Sequence, residues 1–332
     1  ADTDQLLMEM LHSFQQSLSD KKKPVVLAMM PKTVSSVNEF TDWLNDRLKQ
    51  GIPEFVRFSV FDYEEERYFD DLFKRFKSST KSLALPIDLQ GAINKLSKMG
   101  DPNSPEVQFR TCMQEMGEAT SANNLTQLDK WGAKALEIAQ RSGKKGFFAS
   151  AHLIYAGMLF TFKKYEQINY LLEGGLRLAQ LGLSEGDETC KVNIIQIYAY
   201  MAASKQHNGQ EVEAADLYVR QGELAIQYGF GIQALTAWWQ AYNIYQKKDQ
   251  KVYHALMEQA YQHGITFTTQ ELQHSCFSYI AFDYHDYLSN LKQMDKCREI
   301  DAYMHAIEGE NWKEKVEKYK NDTKHKKRFL FI

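Results

Sequence analysis

Proline is absent from the whole stretch of sequence that follows Pro105. A proline inside a helix removes a backbone hydrogen bond and clashes with the preceding turn, so its absence leaves long helices uninterrupted. The sequence therefore predicts that residues 106–308 are helical throughout.

Closely spaced cysteines are also absent, since no Cys-x-x-Cys pair occurs. Cysteines scattered among helical patterns do not suit a disulfide framework or a zinc site. Free, buried thiols are typical of a reducing compartment, so we expect a cytoplasmic protein. The four thiols are Cys112, Cys190, Cys276 and Cys297.

The chain lacks any apolar run near the ~20 residues needed to span a bilayer. Its start, ADTD, lacks the charged-then-apolar layout of a secretory signal. The net charge of −3 is a small excess, so there is no overall attraction to nucleic acid. We therefore expect neither a nucleic acid nor a membrane as the partner, and the oligomeric state is left open.

Positive charge is concentrated in a basic C-terminal tail, residues 309–332. Residues 311–328 hold eight lysines or arginines against three acids, and four apolar residues follow. Such a segment could bind a partner's groove or pack on its own chain; an anionic membrane surface is a third alternative, with only marginal affinity. The candidate tail residues are Lys326, Lys327, Arg328, Phe329 and Phe331.

Residues 1–85 show a different pattern, which predicts a small α/β domain. The continuous apolar run at 25–30 is typical of a strand covered on both faces. A helical stripe at 37–48 and a second strand at 55–61 complete a strand–helix–strand unit, which implies parallel strands. The other predicted elements are helices at 4–18 and 64–81 and a proline-rich junction at 86–105.

A short phrase that begins with alanine and ends with glycine recurs four times within the helical region. Counted from alanine to alanine, the offsets are 40, 46 and 35 residues, a period typical of stacked helical hairpins. Glycine after a helix is a common C-terminal cap, so we expect each phrase to end a helix. The phrases are AQRSG at 139–143, AQLG at 179–182, AIQYG at 225–229 and AYQHG at 260–264.

The repeats resemble the tetratricopeptide-repeat family, whose unit has a large residue at position 4, small residues at 7–8 and an aromatic at 11. The clearest match begins with Leu153, Ala156, Gly157 and Phe160, and more degenerate units lie at 109–143 and 272–307. In the other two units the matching residues are Ile195, Tyr198, Ala199, Ala202, Ala215 and Gly222, then Trp238, Ala241, Tyr242, Tyr245, His254 and Tyr261. The resemblance implies a mainly α fold, a right-handed α-solenoid over 106–308 after the small α/β domain. It also suggests a bacterial origin.

Proteins of this family bind peptides in a concave groove lined by the first helix of each hairpin. In the family's carboxylate-binding version the groove carries lysine and asparagine; here only Asn243 fits, and Trp239 replaces the lysine. An aromatic, neutral groove suits a largely apolar helix or extended segment. The alternative is that several of these side chains pack inside the stack. The predicted groove residues are Ile154, Met158, Gln196, Tyr200, Trp239, Asn243 and Gln246.

The strand–loop–helix at 25–45 faintly resembles the core of P-loop ATPases. Its loop at 30–36 contains Lys32 and Thr33 but no glycine, so its backbone cannot wrap a triphosphate. Asp62 follows a strand as a magnesium-binding aspartate would, although this pattern alone is weak. We interpret the region as a fragment without nucleotide chemistry and expect no cofactor.

Other patterns that could carry chemistry are weak. An acidic cluster could hold a divalent ion, but a solvated helix start is the commoner explanation. No His-x-x-x-His, His-Glu-x-x-His or Gly-x-Ser-x-Gly motif occurs, and His285 and Asp286, being adjacent, point in different directions on a helix. The acidic cluster is Asp62, Glu64, Glu65, Glu66, Asp70 and Asp71.

These patterns predict a non-enzymatic adaptor, scaffold or chaperone that holds a partner protein in the concave face of its helical repeats. A first alternative is a peptide- or protein-sensing regulator derived from an ATPase with a helical-repeat sensor. A second alternative is a hydrolase with an unrecognised site. The prediction for metals is that no site is present.

Overall fold

The computed structural model of the chain describes residues 3–20, 22–29, 37–62, 67–84, 88–97 and 99–325. The chain is mainly α and divides into two compact units, Ala1–Asp88 and Leu89–Ile332. Several predictions fall outside the described residues. They concern the loop at 30–36, the acids Glu64, Glu65 and Glu66, and the tail residues Lys326, Lys327, Arg328, Phe329 and Phe331.

The first unit contains a two-stranded parallel sheet of β1 (Val25–Met29) and β2 (Val56–Val60). Helix α2 (Val37–Gln50) connects the two strands, which confirms the parallel strand–helix–strand unit. The remaining helices are α1 (Thr3–Ser17) and α3 (Asp70–Arg75). The small core of this unit is formed by Leu44, Phe69 and Leu72.

Two predictions for this unit are wrong. Strand β1 is not covered on both faces, because its side chains alternate between half-buried and exposed, and Val26 is 61% exposed. Alternate residues of a strand point to opposite faces, so one face of this strand is open. The helix predicted at 64–81 is only the six-residue α3 in its described part, since the backbone N–H groups of Ser79 and Thr80 both bond to the Phe76 carbonyl and form a turn there.

Helices make up the regular structure of the second unit, and consecutive helices pack as pairs. Helix α4 (Leu89–Ser97) comes first and lies inside the predicted junction. This order is compatible with a helical-repeat solenoid. The pairs are α5 (Pro105–Ser121) with α6 (Leu125–Arg141), α7 (Lys145–Leu159) with α8 (Tyr165–Ser184), α9 (Cys190–His207) with α10 (Glu211–Gln227), and α11 (Gly231–Tyr245) with α12 (Gln250–Gly264), followed by the short α13 (Thr269–Gln273) and then α14 (Phe277–Asn290) with α15 (Met294–Glu308).

A final helix, α16 (Trp312–His325), covers much of the segment that the sequence predicts as a basic tail. Trp312 and Val316 are buried in the core of the second unit, and α16 packs on α14 and α15. Residues four apart share one helix face, so these two apolar side chains give α16 an inner face among its lysines.

The four phrase glycines have two different roles. Gly143 and Gly229 directly follow the C-cap residues of α6 and α10 with φ of +72° and +84°, as expected for left-handed caps. Gly264 is the last residue of α12 and Gly182 lies close to the end of α8 at Ser184, so these phrases also mark helix ends, but neither glycine follows its helix as the predicted cap. A side chain at Gly182 would collide with the sulfur of Cys190.

A glycine on the second helix of a pair repeatedly contacts a large side chain from the first helix of the next pair. An added Cβ at Gly132 would lie 2.5 Å from the Tyr155 ring, and one at Gly222 would lie 2.3 Å from Trp238 Nε1. Such distances leave no room for a methyl group, so the missing side chains let neighbouring pairs approach closely. These glycine seats are Gly132 under Tyr155, Gly175 between His152 of its own pair and Ile197 of the next pair, Gly222 under Trp238 and Gly264 under Phe277.

Candidate functional site

The seven predicted groove residues lie on the first helices of three consecutive pairs, and none of them is buried. None carries a charge, so we call this set the neutral face. Its members are Ile154 and Met158 on α7, Gln196 and Tyr200 on α9, and Trp239, Asn243 and Gln246 on α11 or directly after it.

Tyr200 joins the α9 part of the neutral face to α7. Its ring lies against Gly157, where an added Cβ would be 3.0 Å from the ring, and it meets the ring of Phe160 edge-on at 5.8 Å. Phe160 also contacts the ring of His207 at 6.1 Å between centroids. Tyr200 nevertheless stays 37% exposed, so a fixed aromatic ring faces solvent here.

Trp239 joins the α11 part of the neutral face to α14. Its ring lies 5.7 Å from that of Tyr279, and the side-chain amide of Asn243 donates to the Trp239 carbonyl at 2.7 Å. The two parts of the face are linked through α10, which packs against both α9 and α11. Tyr279 extends the same surface, and the repeat pattern did not identify it.

Ile154, Met158 and Trp239 also contact the hydrophobic core of the second unit. Their backbones and inner atoms are therefore held by packing, while their outer atoms reach the surface. Side chains fixed in this way lose little further freedom when a partner binds, which favours affinity.

Tyrosine–carboxylate hydrogen bonds tie three of the helix pairs to the pair before them, and the sequence patterns did not indicate these bonds. Each of these tyrosines stands 26 to 29 residues after its acid, a spacing that could have served as a signal. The bonds are Tyr155 to Asp129 at 2.5 Å, Tyr245 to Asp216 at 2.6 Å and Tyr284 to Glu258 at 3.2 Å.

Burial, together with the neighbouring carboxylates, changes the ionisation of these phenols. It raises the pKa of Tyr245 and of Tyr284 to about 12, and raises that of Tyr155 as well. The phenols are therefore protonated donors at neutral pH. Their role is structural.

His285 does not pair with the adjacent Asp286 but with groups from two other helices. Its Nε2 atom lies 2.8 Å from the ammonium of Lys313 on α16 and 3.3 Å from Oδ2 of Asp301 on α15. Burial and the positive charge of Lys313 lower the pKa of His285. For Asp301, burial alone would raise the pKa, but the hydrogen bond from Lys313 and the positive charge of its ammonium hold the pKa below its usual value.

All four cysteines are free, and three of them are buried. Burial raises the pKa of Cys190 and of Cys276 to about 11, and raises those of Cys112 and Cys297 too. A nucleophilic cysteine needs a lowered pKa, so these thiols are suited to packing.

In the first unit, the acidic residues act on local structure. Both carboxylate oxygens of Asp62 accept backbone N–H groups, from Tyr68 and from Phe69, each at 3.1 Å. Asp71 lies 3.3 Å from Lys74, and Asp70 lies 3.9 Å from Arg67. Across the described residues, no group of three or more histidine, cysteine or acidic side chains is placed to bind a metal ion.

No protein-family model matches the chain, and no solved structure matches it significantly. Within the described part of the chain, no helix is long and apolar enough to cross a bilayer.

Proposed function

We propose that the protein is a non-enzymatic adaptor, scaffold or chaperone that binds a partner protein on the neutral face. The observation that carries the proposal is the pair Tyr200 and Trp239, whose rings are fixed by packing yet remain partly accessible. Tyrosine and tryptophan are enriched among the residues that dominate protein–protein binding energy. The lack of charge on the face favours a largely apolar segment of the partner.

The finer architecture belongs to the same proposal. We infer a right-handed, tetratricopeptide-like solenoid because the helix pairs follow one another in order and the glycine seats recur at each junction between them. Four free cysteines, three of them buried, support a cytoplasmic location.

A pull-down from lysate of the organism of origin tests the proposal. The bait is the double variant Tyr200→Ala, Trp239→Ala, compared with the wild-type chain. Truncating two central aromatic residues should cost about 2 kcal/mol or more per dominant contact, enough to lose the partner from the beads.

The matched control for this pull-down is Tyr170→Ala on α8. Tyr170 is 74% exposed, so its loss removes an accessible aromatic ring outside the neutral face. The control should retain every partner of the wild type. Partners that remain bound to the double variant at wild-type levels would contradict the assignment of the face.

One observation favours a second candidate, a regulator derived from an ATPase. The parallel β1–α2–β2 unit is the kind of element on which nucleotide sites are built. Against it, the carboxylate of Asp62 is occupied by the backbone N–H groups of residues 68 and 69. Calorimetric titration of the full chain with ATP and magnesium distinguishes the regulator from the adaptor. Saturable binding of ATP would support the regulator, and no binding would support the adaptor.

A further inference from the structure

Among the described residues, helix α16 is held by two lysine–carboxylate ion pairs and two buried apolar side chains, and Lys315 adds a hydrogen bond to the Glu308 carbonyl. Trp312 and Val316 are buried, and the Trp312 ring meets that of Phe282 edge-on at 6.2 Å. Lys320 pairs with Asp283 on α14, and Lys313 pairs with Asp301 on α15 at 2.7 Å. The docking of this helix therefore depends on charges as well as on apolar contact.

The protonation state of His285 follows from its geometry. The ammonium of Lys313 has only donors, so at 2.8 Å the Nε2 atom of His285 must accept, which requires a neutral imidazole. The groups that face His285 are Lys313 from α16, Asp301 and the Cys297 thiol from α15, and Asp286 from its own helix. Of these, Lys313 opposes a proton on the ring, while Asp301 and Asp286 favour it.

We propose that His285 is a proton-operated latch for the C-terminal helix α16. In the neutral state Lys313 lies between Asp301 and the imidazole and is bound by both. A proton on Nε2 removes the acceptor, places two positive charges against each other, and directs an N–H donor at Asp301, 3.3 Å away. The proton and Lys313 thus compete for the same carboxylate, and α16 loses one of its two lysine–carboxylate ion pairs.

Release of α16 would uncover Trp312 together with the surface of α14 and α15 beneath it. That surface contains Phe282, Asp283 and Asp301, so it combines an aromatic ring with two acidic groups. The inference stands independently of the proposed function, because it concerns the chain's own helix.

The sign of the pH effect follows from the lowered pKa of His285. In the docked state the imidazole binds a proton less readily than in the released state, so lower pH favours release. The equilibrium constant for docking of α16 is largest above the ordinary histidine pKa of about 6.5. Below that pH it falls about tenfold per pH unit, until the pH reaches the lowered pKa of His285 in the docked state.

Hydrogen exchange of the amides at 312–320 tests the latch on the full chain at pH 7.5 and pH 5.0, after correction for the chemical exchange rate. In the wild type, protection of this segment should fall at pH 5.0 relative to that of α14. His285→Gln keeps an acceptor for Lys313 but cannot be protonated, so its protection should be the same at both values. The matched control His305→Gln, an exposed histidine on α15, should behave as the wild type.

Titration of the His285 ring by NMR gives a second readout that does not depend on helix stability. The pKa in the wild type should lie below 6.5, and Lys313→Met should raise it, because the opposing charge is gone. An unchanged pKa in Lys313→Met would overturn the proposal. An equal loss of protection at pH 5.0 in His285→Gln and in the wild type would overturn it as well.

Discussion

Replacing Gly222 by alanine should destabilise the second unit, although alanine is the better helix former. The added Cβ would lie 2.3 Å from Nε1 and 2.7 Å from Cδ1 of Trp238, which is 1% exposed and therefore enclosed by other side chains. Overpacking of a core costs about 1–3 kcal/mol, and this contact is severe enough for the upper end. The higher helix propensity of alanine offsets about 1 kcal/mol of this loss of stability.

We therefore expect Gly222→Ala to lower the free energy of unfolding by about 2 kcal/mol, which corresponds to a melting temperature lower by about 4–8 °C for a unit of this size. Differential scanning calorimetry measures it directly. Gly117→Ala on α5 is the matched control, because nothing lies within 4 Å of the added Cβ, and this variant should be stabilised by up to about 1 kcal/mol.

A double-variant cycle completes this test. Trp238→Phe removes the indole nitrogen that collides with the new methyl group, so Gly222→Ala should cost less in that background, with a coupling of about 0.5–3 kcal/mol. If Gly222→Ala proved as stable as Gly117→Ala, the close packing of consecutive helix pairs through glycine seats would be refuted.

Two further predictions concern the tyrosine–carboxylate ties. Tyr245→Phe removes the 2.6 Å bond to Asp216 and should lower the unfolding free energy by about 1–2 kcal/mol in urea titrations, whereas Tyr170→Phe should change nothing. An alkaline titration at 295 nm should show phenols ionising near pH 12, among them Tyr245 and Tyr284. Because their folded pKa is raised, the stability they contribute is complete below about pH 10 and is lost as the pH rises towards 12, so a chain equally stable at pH 8 and pH 11.5 would contradict these pKa values.

Much of the second unit could be predicted from the sequence because its determinants are local. The absence of proline after Pro105 and the helical spacing of apolar residues indicated long helices, and the glycines at 143 and 229 marked two of their ends. The phrases at Gly182 and Gly264 also lie at helix ends, but these two glycines are inside their helices and are not caps. A glycine that caps a helix cannot be told in the sequence from a glycine that makes room for a ring of the next helix pair, because only the packing of that pair distinguishes the two roles.

The glycine seats show a regularity that the phrase hid. Gly132, Gly175, Gly222 and Gly264 follow one another at intervals of 43, 47 and 42 residues, which is more even than the alanine offsets. Packing between pairs sets this spacing, whereas the end of a helix can shift by several residues without disturbing its neighbours.

Other features could not be predicted from local sequence patterns, because they depend on tertiary packing. The apolar run of β1 predicted that both faces of the strand are buried, but burial of a face depends on which elements pack against the sheet. His285 meets Asp301 and Lys313 only through the packing of three helices. For the basic tail the sequence left open whether it packs on its own chain or binds a partner, because the two apolar residues that dock α16, Trp312 and Val316, are few among many charges.

The central claim, that the neutral face binds a partner protein, is tested most directly by site-specific photo-crosslinking. A photoreactive amino acid at Gln196, an exposed position beside Tyr200 on α9, should capture the partner in cells as one dominant adduct. The same amino acid at Tyr170, which is more exposed than Tyr200, should capture nothing comparable. Equal crosslinking at both positions, or a strong adduct at Tyr170 alone, would contradict the account.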